Sequence, residues 1–192
     1  MANPAVILAN SGSLRVESYN GMLLSEATAM APVGAKLVAW GDLASIPPFS
    51  EDHENNAGLA VHALRAAIAE ASAVLIATPE YNGSLPGQLK NALDWASRPF
   101  PDNVLRDKPA AVIGASPSPG GTARAQADAR KVLTAIGAQV LQAELLVPHA
   151  YRQFDSTGRL VDADLRHQLE RLVAELHTSS LVASDGINET AA

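Results

Sequence analysis

Hydroxyls and an arginine are concentrated near the start of the chain, in Asn10-Ser11-Gly12-Ser13-Leu14-Arg15-Val16-Glu17-Ser18, with Tyr19 and Asn20 directly after. The apolar run Ala5-Val6-Ile7-Leu8-Ala9 precedes this stretch and a helix-like segment over 18–31 follows, which makes it a strand-to-helix turn. Backbone N–H groups at a helix start, serine hydroxyls and the helix macrodipole together suit a phosphate. Arg15 can add a charge-assisted hydrogen bond worth roughly 1.5–3 kcal/mol. A serine-capped helix start without a ligand is the competing reading. Glu17 runs against the charge logic and must point away from a dianion.

A second stretch, Pro79-Glu80-Tyr81-Asn82-Gly83-Ser84-Leu85-Pro86-Gly87, lies between the apolar run Ala73–Ala77 and a helix carrying Leu89, Ala92, Leu93 and Ala96 at helical spacing. Two prolines fix φ and remove donors, while the glycines let the backbone approach a flat ligand. The loop is expected to be rigid, with free N–H groups from Glu80 through Gly83 offered to such a ligand. Glu80 reads either as an acid–base group or as a solvated carboxylate. Tyr81 packs either on the ligand or on its own loop. A third turn, Gly114-Ala115-Ser116-Pro117-Ser118-Pro119-Gly120-Gly121-Thr122, follows another apolar run. Its glycines permit close approach and Thr122 can cap the next helix.

Other chemistries lack their residues. The first turn has no Gly-Lys-Ser or Gly-Lys-Thr and is not G-x-G-x-x-G, which disfavours nucleotide triphosphate hydrolysis. A phosphate-receiving regulator would need acids after the first and third strands, where Asn10-Ser11 and Thr78-Pro79 stand. There is no cysteine, hence no disulfide or thiolate site. His53, His62, His149, His167 and His177 show no metal-ligand spacing, and no metal is expected. No G-x-S-x-G elbow occurs. Asp94, Arg98 and Arg124 read either as surface charge or, for an arginine, as a contact to a nicotinamide-nucleotide phosphate.

The elements that must position these turns alternate regularly. Strands are expected at 5–9, 35–40, 73–77 and 109–115, with a weaker one at 139–147; helices are expected at 18–31, 58–71, 87–97, 122–136 and about 162–178. Alternating βα units imply a doubly wound parallel sheet of five strands with right-handed crossovers. The flavodoxin-like order 2-1-3-4-5 puts a ligand at the carboxyl ends of the first and third strands, where both principal turns stand. Residues 41–56, with Pro47-Pro48, read as a long surface loop bordering the site. One domain over 1–180 and a flexible tail over 181–192 are expected from the 192-residue length and the small, polar end.

The hydrophobic fraction of 47% and charged fraction of 18% are those of a globular chain. A net charge of −6 with scattered basic residues argues against nucleic acid as a partner. Neither a charged leader nor a membrane-length apolar run is visible, and a cytoplasmic setting without membrane contact is expected.

Across residues 5–150 the Gly12–Asn20 turn and the 79–95 stretch together resemble the NADPH-dependent FMN reductase family, which includes quinone, azo-compound and chromate reductases. The resemblance implies FMN as cofactor and NADPH or NADH as hydride donor. The acceptor would be a small quinone, azo, nitro, flavin or chromate-type molecule. It implies that the turn at Ser11, Ser13, Arg15, Ser18, Tyr19 and Asn20 holds the FMN phosphate. Pro79, Glu80, Tyr81, Asn82 and Gly83 would border the flavin ring, with Ser116, Gly120 and Gly121 near it. No catalytic side chain is required, because the cofactor carries the chemistry. A homodimer or homotetramer is implied, with Trp95 and the 87–97 helix as contact elements. A flavodoxin-type electron carrier and a flavin-binding protein without turnover are the alternatives.

Overall fold

A computed structural model describes residues 3–190 of the chain. Five strands form a parallel sheet in the order β2-β1-β3-β4-β5, and a sixth also pairs with β4. The strands are β1 (Ala5–Ser11), β2 (Ala35–Trp40), β3 (Ala73–Ala77), β4 (Pro109–Ala115), β5 (Gln139–Val140) and β6 (Leu145–Val147). Every residue of β3 and β4 is buried, as their unbroken apolar runs require of strands covered on both faces. Register is set by that packing: Ile7 lies between Leu37 and Ala73, and Ser11 opposite Ala77.

The α-helices among the described residues are α1 (Tyr19–Ala29), α2 (Leu59–Glu70), α3 (Gly87–Ala96), α4 (Ala123–Ile136), α5 (Ala150–Gln153) and α6 (Ala163–Thr190). Leu23, Leu24 and Ala27 of α1 join Leu169, Val173 and Leu176 of α6 on one face. Val61 and Leu64 of α2, Leu89 and Leu93 of α3 and Leu133 of α4 cover the other. The last helix continues past the expected 178 to Thr190, so most of the expected tail is helical; residues 191 and 192 lie outside the described residues.

The weak strand expected over 139–147 is two short ones. Its middle carries Gln142 and Glu144, which a doubly covered strand cannot bury. They turn outward to Arg130 of α4, whose guanidinium donates to the Ala143 carbonyl at 3.2 Å and lies 3.7 Å from Glu144.

The 41–56 segment is anchored along α3. Gln88 donates to the Leu43 and Ile46 carbonyls at 2.8 Å each, and Asn91 and Trp95 both donate to the Pro47 carbonyl at 2.8 Å. Leu43 and Ile46 are buried beneath it. Trp95 is 1% exposed and meets Phe49 edge-on at 5.0 Å. It is therefore core, and its expected part in a subunit contact is corrected: its surface is already spent inside the chain.

Candidate functional site

The carboxyl ends of β1, β3 and β4 open into a cleft walled by Ser13, Arg15, Ser18, Tyr19, Asn20, Pro79, Glu80, Tyr81, Ala115, Ser116 and Pro117. The two principal turns, some sixty residues apart in sequence, meet here because parallel β1 and β3 are neighbours and end level. Ser11, Asn82, Gly83, Gly120 and Gly121 are outside these walls. Ser11 braces the first turn, its hydroxyl accepting the Ser13 N–H at 3.2 Å. Gly121 takes a left-handed φ of 58° and packs against Leu146 and Val147 of β6.

The first turn ends on Ser18, whose hydroxyl accepts the Gly21 N–H at 2.9 Å and caps α1. The N–H groups of Tyr19 and Asn20, which open the helix, have no partner among the described residues. Arg15 is exposed and, among the described residues, its guanidinium makes no ion pair. Glu17 points to solvent. The Tyr19 ring stacks on Phe154 at 5.8 Å, which fixes it as a wall. Asn20 has a different task from its neighbours. It is buried, its amide donates to the Ala115 carbonyl at 3.0 Å, and its carbonyl accepts the Ala115 N–H at 2.9 Å. It thus bolts the first turn to the end of β4.

The second loop is a tight hairpin. Tyr81 and Ser84 exchange backbone hydrogen bonds at 3.0 and 3.1 Å across Asn82 and Gly83, both at positive φ, 53° and 80°. That is a type I′ turn, the geometry that Asn-Gly favours. The expected free donors are therefore reduced to three: Tyr81 spends its N–H in the turn, while those of Glu80, Asn82 and Gly83 have no partner among the described residues. Thr78, fully buried, donates its hydroxyl to the Pro79 carbonyl at 2.9 Å and sets the loop's departure from β3. Tyr81 is 49% exposed at the mouth.

Glu80, partly exposed in the cleft wall, has a task the sequence does not reveal. Its carboxylate accepts the N–H groups of Arg124 and Ala125, at 3.0 and 3.3 Å, and so caps α4 from 44 residues away. Thr122, the expected cap, makes no capping bond with its side chain and receives the Gln126 amide at 2.9 Å instead. Ser84 donates to Asp128 of α4 at 2.6 Å, and the Arg124 side chain lies 3.5 Å from where a Cβ on Gly83 would stand. Sequence reading missed Ser84, Asp128 and this use of Glu80, since nothing local marks a cap supplied by another element.

Gly114 holds the third turn against the second. A Cβ there would come within 1.9 Å of the Thr122 hydroxyl and 2.5 Å of the Thr78 carbonyl. Arg98, a candidate for a nucleotide phosphate, is occupied: it pairs with Glu51 at 3.2 Å and Glu54 at 3.6 Å and lies over the Phe49 ring. Among the described residues no group of histidines and carboxylates could hold a metal ion, and no helix is long and apolar enough to cross a membrane.

Residues 5–152 match the family described as NADPH-dependent FMN reductase. The chain is similar to an NAD(P)H-dependent FMN reductase of Pseudomonas aeruginosa, 40% identical over 178 residues, which are 92% of this chain and 95% of that protein. It is 38% identical over 160 residues to a 2-hydroxy-1,4-benzoquinone reductase of a Burkholderia species, covering 83% of this chain and 87% of the other. Among solved structures, the flavoenzyme NAD(P)H:(acceptor) oxidoreductase FerB from Paracoccus denitrificans superposes with a TM-score of 0.83 at 31% identity, over 93% of this chain and 98% of that one.

Proposed function

Because the chain belongs to the NADPH-dependent FMN reductase family, we propose that it passes reducing equivalents from NADPH or NADH to a small quinone-class acceptor, with FMN seated in the cleft at the ends of β1, β3 and β4. The observation that carries the placement is the donor set. At one end stand a guanidinium without an ion pair among the described residues, the Ser13 and Ser18 hydroxyls and two first-turn N–H groups likewise without a partner there, which is what a phosphate dianion needs. At the other, the loop with unpartnered N–H groups at Glu80, Asn82 and Gly83 adjoins the apolar surface of Pro79, Ala115 and Pro117, which suits a flat ring with a polar edge. The set fits FMN.

When bound, FMN supplies the redox chemistry, taking a hydride from the nicotinamide and returning two electrons to the acceptor. The chain's part is to bind, orient and leave room. Ser13, Arg15 and Ser18 would hold the phosphate, helped by the α1 N-terminus. Backbone donors of the 80–83 turn would stabilise negative charge gathering at the ring edge. Tyr81, half exposed, borders the open side where donor and acceptor enter. No side chain of the cleft needs to hold a proton for this. The relative that reduces 2-hydroxy-1,4-benzoquinone supports a quinone as acceptor. A cytoplasmic setting and a homodimer or homotetramer are supported by resemblance to the family alone; fractionation and sedimentation velocity test those two points.

Cofactor released by heat from the purified protein and separated chromatographically is expected to be FMN in one-to-one ratio. Its visible absorption should bleach anaerobically with NADPH or NADH and return with a quinone. FAD in its place, or no flavin after reconstitution, overturns the proposal. Bound FMN that neither nucleotide bleaches would leave a carrier or a binding protein.

A further inference from the structure

Two helices start near the cleft, α1 just after Ser18 and α4 just after the Ser116–Thr122 turn. A helix start carries N–H groups with no partner inside its own helix and the positive end of a macrodipole, so either could attract an anion. They are treated differently by the chain. Among the described residues, the N–H groups of Tyr19 and Asn20 in α1 have no partner, whereas those of Arg124 and Ala125 in α4 are taken by the Glu80 carboxylate at 3.0 and 3.3 Å. Glu80 also belongs to the cleft wall, immediately before the 81–84 turn. A second bond, from Ser84 to Asp128 at 2.6 Å, fastens the far side of that turn to the same helix.

We propose that Glu80 is a positioning residue whose carboxylate, seated on the N-terminus of α4, fixes the 79–84 loop for the flavin and leaves α1 as the helix end open to the phosphate. This rests on the reading of the cleft as the flavin seat. The turn itself supplies two hydrogen bonds between Tyr81 and Ser84, which set its internal shape but not its angle to the sheet. Glu80 and Asp128 set that angle. The carboxylate acts as a built-in anion, so its loss exposes a second positive helix end beside the cleft.

Glu80→Ala, Glu80→Gln and wild type would be compared without flavin and then titrated with FMN. In Glu80→Ala, amide hydrogen exchange at the hydrogen-bonded N–H groups of Tyr81, Ser84, Arg124 and Ala125 should speed up in the apo-protein, and FMN affinity should fall about 3- to 30-fold, the range expected for loss of a helix cap. Sodium formate should restore slow exchange and affinity, while sodium chloride at equal ionic strength should not, because only the former carries a carboxylate to the vacated helix end. Glu80→Gln keeps an acceptor oxygen and should fall between the two. Wild-type exchange and affinity in Glu80→Ala, or rescue by chloride as well as by formate, overturns the proposal. If Glu80→Ala does not fold, Glu80→Gln decides through the same amides: unchanged exchange at Arg124 and Ala125 rejects the role and faster exchange supports it. Failure of wild type to bind FMN would sink the functional reading alone, since exchange and formate rescue are read without flavin.

Discussion

Arg15 and Asn20 are five residues apart on one turn and belong to opposite kinds of interaction. Arg15 is exposed and makes no ion pair among the described residues, so its removal should leave the apo-protein as stable as before. Arg15→Ala should weaken FMN binding about 10- to 150-fold, the loss of a charge-assisted bond of roughly 1.5–3 kcal/mol, as read by flavin-fluorescence titration. An unchanged dissociation constant would take Arg15 out of the phosphate seat. Asn20 is buried and bonded in both directions to Ala115. Asn20→Ala strands a buried N–H and a buried carbonyl, at a cost of about 2–4 kcal/mol. Calorimetry on the apo-protein should show a melting temperature lower by roughly 5–15 °C for a chain of this size. Lost FMN affinity at an unchanged melting temperature would instead make Asn20 a direct ligand. The sequence could place Asn20 in the turn but not separate these roles, because its partner lies 95 residues away.

At the level of elements, local pattern and distant packing divide the structure between them. The runs that became β3 and β4 were readable because burial on both faces admits only apolar residues. The Asn82-Gly83 pair likewise announces a tight turn. What local pattern could not reveal is where a polar side chain finds its partner: Gln88 under the 43–47 segment, Arg130 on the interrupted fifth strand, Glu80 on α4. The hairpin closed by Phe154 and Leu160 is the opposite case, with partners two and four residues apart, and offers a test. Asp155 accepts from the Thr157 hydroxyl, the Arg159 N–H and the Thr157 N–H, and these bonds hold its carboxyl below the ordinary 3.8. A depressed folded-state value stabilises above the unfolded one and is lost as pH falls through it. Wild type should therefore be more stable than Asp155→Asn at neutral pH, with the gap closing below about 3.8 in urea titrations run across the acid range. A gap independent of pH would mean that the turn's shape matters and its charge does not.

For the molecule as a whole, the cleft exists only in the folded state, because its walls come from three separate βα units. Flavin binding and folding are then linked. FMN at about a hundred times its dissociation constant should add roughly 2.7 kcal/mol of stability, a rise of about 5–10 °C in melting temperature. A melting temperature indifferent to FMN would place the flavin outside the folded cleft. The same geometry imposes an order in time on a chain being made at the ribosome. Asn20 leaves the ribosome 95 residues before Ala115, the residue that will hold it. At about 5–20 residues per second, the first turn spends roughly 5–20 s with its buried amide unclaimed. Throughout that interval the first turn lacks the bonds that fasten it to β4, and a cofactor seated in the cleft as proposed could only be captured once β4 has joined the sheet.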